Sequence, residues 1–388
     1  MQVPVDKLNP SSDNFFRLDR KDRWLFILTG VLIGVAAPLL SYFGNPPNTG
    51  LCISCFLENI AGALGLHDNV RMQYARPEII GLVLGSFIGS VRSGGFRATG
   101  GSSPLLKFFT GIFLIIGCSV FIGCPVKMLI RLSAGDFTAL AGVAGIMAGV
   151  WLGLKFLEGG FRLGQPVSMP AANGLLVPGS MFALLLLVLF DAPFIGTSVK
   201  GAAALHAPLW MSLAAGLAIG GLAGKTGFCI TGGLSRLFLW GPKEVKGCPK
   251  STGLLLALGA FVISAFITNL AAGQFHPGIH GQPSSNEDYF WNAMGMVVVG
   301  FGSVLIRGCP LRQLILSGQG DTDAGAAVLG MLVGAALVNN WGIGGTPAGT
   351  PFGGKIAIIV GLIFFLAAGM AYRRRDMGLA PEYQAGLD

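Results

Sequence analysis

Ten stretches of this chain are apolar for long enough to cross a lipid bilayer, and nothing else in the sequence restricts the fold as strongly. They cover residues 24–43, 78–92, 105–122, 136–157, 173–190, 208–224, 252–272, 289–306, 322–341 and 354–372. A helix needs about 20 apolar residues to span the hydrocarbon core, so the run at 78–92 must extend into its flanks. Inside a bilayer, backbone polar groups have no water to bond, and unbroken apolar runs satisfy them as helices. Composition agrees: 52% of residues are hydrophobic, only 11% are charged, and the 61 glycines suit closely packed transmembrane helices. The net charge of +8 is not a nucleic-acid signal, because the basic residues sit at the chain ends and in short loops. No cleavable signal peptide is expected, since a polar, charged segment of 23 residues precedes the first apolar run.

Four further apolar segments, 49–65, 123–134, 226–241 and 308–318, are too short to cross and are broken by Gly or Pro. They are related in pairs. Residues 123–151 align without gaps on 308–336 with twelve identities in twenty-nine, including Gly123-Cys124-Pro125 on Gly308-Cys309-Pro310 and Gly135-Asp136 on Gly320-Asp321. Likewise Thr49-Gly50-Leu51-Cys52-Ile53 matches Thr226-Gly227-Phe228-Cys229-Ile230. Short interrupted segments at matching positions of two halves point to a transport site. The expected fold class is an all-α polytopic membrane protein. It has about ten transmembrane helices, four short re-entrant half-helix segments, and two repeats (about 26–157 and 208–341) around a central pathway. A linking helix at 173–190, a final helix at 354–372, and tails at 1–23 and 373–388 complete the organisation.

Loop charge sets the direction. Arg17, Arg20, Lys21 and Arg23 place the N-terminus in the cytoplasm, and counting crossings puts Arg92, Arg97, Lys155, Arg162, Lys243, Lys246, Lys250 and Arg373–Arg375 on the same side. The loops expected outside, 191–207, 273–288 and 342–353, hold one lysine and no arginine. The outer stretch 66–77, with Arg71 and Arg76, is the exception. Five crossings separate the matched segments, so the second repeat enters from the opposite side and the repeats are inverted.

The chemistry is expected at the breaks. Glycine permits backbone conformations closed to other residues, and proline fits the first helical turn. Each Gly-Cys-Pro is therefore expected to start a half-helix whose free N–H groups and positive dipole end face the pathway, an anion-binding arrangement. Lys127 and Arg312, each three residues after its cysteine, are expected to attract an anion at opposite mouths, with Gln313 beside Arg312; as the bland alternative they only snorkel and fix orientation. Cys52, Cys124, Cys229 and Cys309 each lie at a break and each have a mate. A neutral S–H there donates a weak, soft hydrogen bond suited to a polarizable chalcogen anion. Cys118 and Cys248 have no mates and read as small hydrophobes.

Cys52-Ile53-Ser54-Cys55 is a C-x-x-C, but Gly232 stands where a second copy would need its cysteine. A lone pair is weak for zinc, which wants four ligands. It leaves open a thiol–disulfide oxidoreductase using Cys52 and Cys55, with Cys55 otherwise a candidate pathway residue. His67, His206, His276 and His280 form no metal constellation. No phosphate-binding loop, dinucleotide fingerprint or catalytic triad appears, so no enzyme activity, metal or cofactor is expected. Gly81/Gly85/Gly89 and Gly145/Gly149 read as close helix packing.

The stretch Cys52-Ile-Ser-Cys-Phe-Leu-Glu-Asn-Ile-Ala-Gly-Ala-Leu-Gly-Leu-His67, with Arg76-Pro-Glu-Ile-Ile-Gly-Leu-Val-Leu-Gly85 and Arg307-Gly-Cys-Pro-Leu-Arg-Gln-Leu-Ile-Leu316, resembles the selenium-metabolism branch of the YeeE/YedE membrane transporter family. The similarity runs over nearly the whole chain except the N-terminal tail and residues 160–172. Thr231–Arg236 departs from the pattern and weakens the carry-over near Cys229. The resemblance implies a prokaryotic plasma-membrane protein that imports a small selenium or sulfur oxyanion, selenite-like or thiosulfate-like, past the cysteines of a central constriction. A cytoplasmic selenium- or sulfur-handling protein is a candidate partner.

Overall fold

A computed structural model describes residues 20–238 and 250–373. Residues 1–19 and 374–388 of the tails, with Lys243, Lys246 and Cys248, lie outside the described residues, while 20–23 belong to the first helix. The ten long runs form ten long helices: α1 (Arg20–Tyr42), α3 (Pro77–Arg92), α4 (Pro104–Val120), α6 (Ala139–Glu158), α7 (Ala171–Leu189), α8 (Leu209–Thr226), α10 (Lys250–Ala271), α11 (Tyr289–Leu305), α13 (Thr322–Asn340) and α14 (Phe352–Ala371). The four interrupted segments form short helices: α2 (Ile53–Ala63), α5 (Pro125–Ser133), α9 (Ile230–Phe238) and α12 (Pro310–Gly318). Among the described residues nine helical stretches are long and apolar enough to cross a membrane; α3, with 16 residues, is too short to count among them. The chain is an all-α polytopic membrane protein. Its one sheet among the described residues joins β1 (Thr99–Gly100) to β2 (Val167–Ser168).

Matching α1–α6 to α8–α13 in order makes the packing self-consistent. α1 packs on α10 as α8 packs on α3, α6 on α11 as α13 on α4, α5 on α10 as α12 on α3, and α2 on α13 as α9 on α6. The matched helices α4 and α11 touch directly and run antiparallel: Gly117 of α4 meets Gly295, whereas Leu114, one turn earlier, meets Gly302. Antiparallel mates mean that the repeats are inverted, about an axis lying across the bundle rather than along it.

Close approach depends on small residues. A Cβ at Gly81 would sit 2.6 Å from Leu213 O and one at Gly85 2.2 Å from Leu217 O, which locks α3 onto α8. At Gly89 the nearest atom is Gly221 Cα at 3.5 Å, so the two helices have begun to part. On the other side of the axis, added carbons at Gly145 and Gly149 of α6 would strike the carbonyls of Ala293 and Val297 at 2.1 and 2.2 Å. The glycine steps are packing surfaces, where backbones meet at a separation no side chain allows.

The loops segregate to two faces. On one, the segment after α3 pairs with the segment before α7, and Arg162 N–H bonds the carbonyl of Tyr372 at the end of α14. On the other, Gly196 N–H reaches Ala63 O, Ser198 N–H reaches Gln73 O, His276 N–H reaches Ala134 O and Gly345 N–H reaches Ser119 O. These are the two loop sets that charge and crossing number separate. Arg76, one of the two basic residues out of pattern, is fully buried. Its guanidinium donates to Asn59 (2.7 Å), Asn45 (3.3 Å) and Ala202 O (3.1 Å) and lies over the Phe56 ring, so it is part of the core rather than a loop charge.

Candidate functional site: two thiol clusters at facing half-helix ends

The backbone at each break sets the site. Gly50 (φ +40°) and Gly227 (φ +68°) are matched and both left-handed, and Gly227 closes α8 directly after Thr226. Thr226 bonds back to Leu222 O, while Thr49 is buried in the turn before α2 and bonds Pro47 O. The Gly-Cys-Pro breaks differ from expectation. Gly123 and Gly308 are not left-handed; the left-handed residues are their predecessors, Ile122 (φ +59°) and Arg307 (φ +61°). What Gly123 and Gly308 supply is room. An added Cβ would lie 2.8 Å from Lys127 Cδ in the first case and 2.8 Å from Arg312 Cγ in the second. The absent side chain lets each long basic stem fold back over its own break.

Cysteines then occupy the helix starts. Cys52, Cys124 and Cys309 are the N-caps of α2, α5 and α12, with Pro125 and Pro310 in the first turn, and Cys229 immediately precedes α9. The starts of α2 and α5 meet: Ile53 N–H donates to Cys124 Sγ at 3.2 Å. Those of α9 and α12 meet likewise, with Cys229 Sγ 3.7 Å from Cys309 Sγ. Two further contacts are matched between the halves. Cys52 Sγ accepts from Cys55 N–H (3.5 Å) as Cys229 Sγ accepts from Gly232 N–H (3.4 Å). Cys52 Sγ also lies 3.4 Å from Ser54 Oγ, and Cys229 Sγ lies 3.2 Å from Thr231 Oγ1. Since α2 also touches α12 and α5 touches α9, the four half-helices converge. The four mated cysteines are all buried and free of disulfides, as is Cys118 within α4.

Three sulfurs thus accept backbone N–H groups that a helix start leaves without partners. Of these, Cys52 and Cys229 turn their own S–H toward a neighbouring thiol, Cys55 Sγ and Cys309 Sγ respectively. The dipole end of each half-helix adds partial positive charge at the same spot.

The basic residues stand beside these clusters without carboxylate partners. Lys127 is buried, and its Nζ lies 3.9 Å from Cys55 Sγ. Arg312 places its guanidinium against Gly227, and its buried Nη1 has no hydrogen-bond partner. Neither makes an ion pair among the described residues. Gln313 is committed to structure, its amide donating to the carbonyls of Ile306 (3.1 Å) and Gly308 (3.2 Å). Cys55 joins the first cluster, its Sγ 3.0 Å from Cys52 Sγ.

A cavity of about 420 Å³ opens over the first cluster, walled by Cys55, Glu58, Lys127, Arg71 and Arg76 and by the loops around 46–49, 201–202 and 344–347. Glu58 and Arg76 were not legible as site residues by spacing. The signal available for Glu58 was its being the one acid within the interrupted segment 49–65. Ser54 and Thr231 could have been found from the duplication, since each follows its cysteine by two residues.

A buried frame holds the first break in place. Arg131 on α5 pairs with Asp136 (2.7 Å), donates to Phe121 O (3.0 Å) and Thr138 Oγ1 (2.6 Å), and stacks on the Phe121 ring. Asp136 also accepts the Thr138 N–H at 3.0 Å. The shared Gly-Asp thus has a role: Asp136 ties α5 to the start of α6, and Asp321 caps α13 by accepting from Ala324 N–H.

No curated protein matches the chain. A family model described as sulphur transport matches residues 2–152, which takes in Cys52, Cys55, Cys124, Lys127 and most of α6. The second repeat lies beyond that match yet carries matched breaks, with Cys229 and Cys309 as counterparts of Cys52 and Cys124, in inverted orientation. Across its first repeat the chain is similar to the sulphur-transport family.

Proposed function

We propose that the chain carries a small selenium- or sulfur-containing oxyanion across the membrane between the two thiol clusters. The observation that supports this most is the matched pair of sites. In each, two buried thiols sit at converging half-helix starts beside a cation with no carboxylate partner among the described residues. An anion gains from the N-terminal dipoles, the cation and the S–H donors, and no covalent step is needed. Soft, weak donors let it leave again, and two sites in series permit transfer from one to the next. With loop charge as the guide to direction, Cys52, Cys124, Cys55 and Lys127 form the outer site and Cys229, Cys309 and Arg312 the inner. Selenite-like and thiosulfate-like cargo share the charge and polarizability this site suits, and import would supply cytoplasmic selenium or sulfur metabolism.

The test is uptake of labelled selenite and labelled thiosulfate into proteoliposomes, each competed by the other. Transport of at least one, lost in Cys124→Ser and in Cys309→Ser, is expected. Transport of neither by folded protein with its cysteines reduced refutes the proposal. A thiol–disulfide oxidoreductase would instead lose function in Cys55→Ser and tolerate Cys309→Ser.

A further inference from the structure

We propose that Glu58 is a proton-binding site that couples anion movement to proton movement. This rests on the transport reading above. Glu58 lies on α2, one turn after Cys55, and its carboxylate is buried in the wall of the cavity that Lys127 and Cys55 also line. Its Oε1 accepts from Ser119 of α4, and Oε2 faces the Asn339 amide of α13 at 3.5 Å. It makes no ion pair among the described residues. A carboxylate held this way is an obstacle in a cavity that takes anions, because like charges oppose each other there.

The groups around it leave the proton to Glu58. From its own helix come Cys52 and Cys55, and from α4 Ser119 and Cys118. α13 contributes the neutral Asn339, and α5 the cation Lys127. The guanidinium of Arg76, at the start of α3, is spent on Asn59, Asn45 and Ala202. His67 contacts only the backbone oxygen of Glu58, through Nε2 at 2.9 Å. Arg71 lies farther up the cavity wall. Arg312 of α12 belongs to the other cluster. Among the described residues Glu58 is thus the one acid lining this cavity, and the matching position of the second repeat is Ser235.

Protonation removes the opposing charge, so proton and anion assist each other's binding. Linkage makes the assistance reciprocal, on the order of tenfold in each affinity. One proton then enters with the anion and leaves with it at the far side, so a proton gradient drives accumulation.

The experiment uses purified full-length protein in proteoliposomes holding an entrapped pH-sensitive dye, with labelled thiosulfate and labelled selenite outside. Wild type is expected to acidify the lumen as it takes up anion and to accumulate about tenfold more label under an inward tenfold proton gradient. E58Q is expected to pass the anion down its own gradient, more slowly, with no lumen acidification and a flat pH profile. E58D, which keeps the acid, is expected to retain acidification. Anion uptake by wild type without acidification overturns the coupling while leaving the transport reading intact, as does continued acidification by E58Q. Loss of all uptake in both E58Q and E58D overturns it too, since Glu58 then serves only the structure. If wild type carries neither anion, the transport reading itself falls, and the coupling with it.

Discussion

Replacing Gly308 by alanine tests whether the glycine of the break exists to seat the arginine. A Cβ there would lie 2.8 Å from Arg312 Cγ, 3.0 Å from Arg312 Cβ and 2.9 Å from Gln313 Nε2. The first two atoms are near the root of the side chain, so the stem must swing as a whole and carry its guanidinium away from the thiols. At an effective dielectric near 20, a monoanion about 4 Å from that charge is held by about 4 kcal/mol and one about 6 Å away by about 2.8 kcal/mol. A retreat of about 2 Å therefore costs about 1.4 kcal/mol, roughly tenfold in affinity for a monoanion and roughly a hundredfold for a dianion. Initial rates of thiosulfate and selenite uptake into proteoliposomes, as a function of concentration, measure this directly. Gly179→Ala, in α7, is the control, because an added Cβ there has nothing within 4 Å. Uptake by Gly308→Ala within twofold of Gly179→Ala for both anions would refute the reasoning.

Two further outcomes concern the frame. Arg131→Leu leaves Asp136 buried without its partner, a loss of about 3–5 kcal/mol, and should lower the unfolding temperature in detergent; an unchanged midpoint would show that the pair holds nothing. Gly149→Val should force α6 off α11, where Val297 O already lies 2.2 Å from a hypothetical Cβ, and reduce the yield of monodisperse protein, whereas Gly89→Ala, with 3.5 Å of clearance, should be well tolerated.

What could be read from the sequence was local in cause. Apolar runs mark spans because the bilayer demands them, and Gly-Cys-Pro marks a helix start because proline accepts that position and little else. Even the 16-residue α3 is recognisable, since its flanks are closed by Pro77 at one end and Arg92 at the other. The start of α6 is three residues later than its apolar run, because Asp136 and Thr138 are occupied by Arg131. That bond depends on how α5 folds back, which no local pattern announces. The same holds for Arg76, which loop counting takes for a misplaced outer charge and which proves to be tied to Asn45 and Asn59 in the core. Ile122 and Arg307 take the left-handed turn that spacing alone assigns to the neighbouring glycines.

The pairing of α1 with α10 and of α3 with α8 has a consequence for how the molecule is made. α1 ends at Tyr42 and α10 begins at Lys250, so the first helix enters the bilayer long before its partner is synthesised. The glycine-lined faces of α1, α3, α4 and α6 are all completed by helices of the other repeat. During translation these faces are open to lipid, and membrane insertion precedes packing for half the chain. A nascent chain ending after α6 has spans but no finished interior. The second repeat supplies the partners that close the glycine-lined faces of the first.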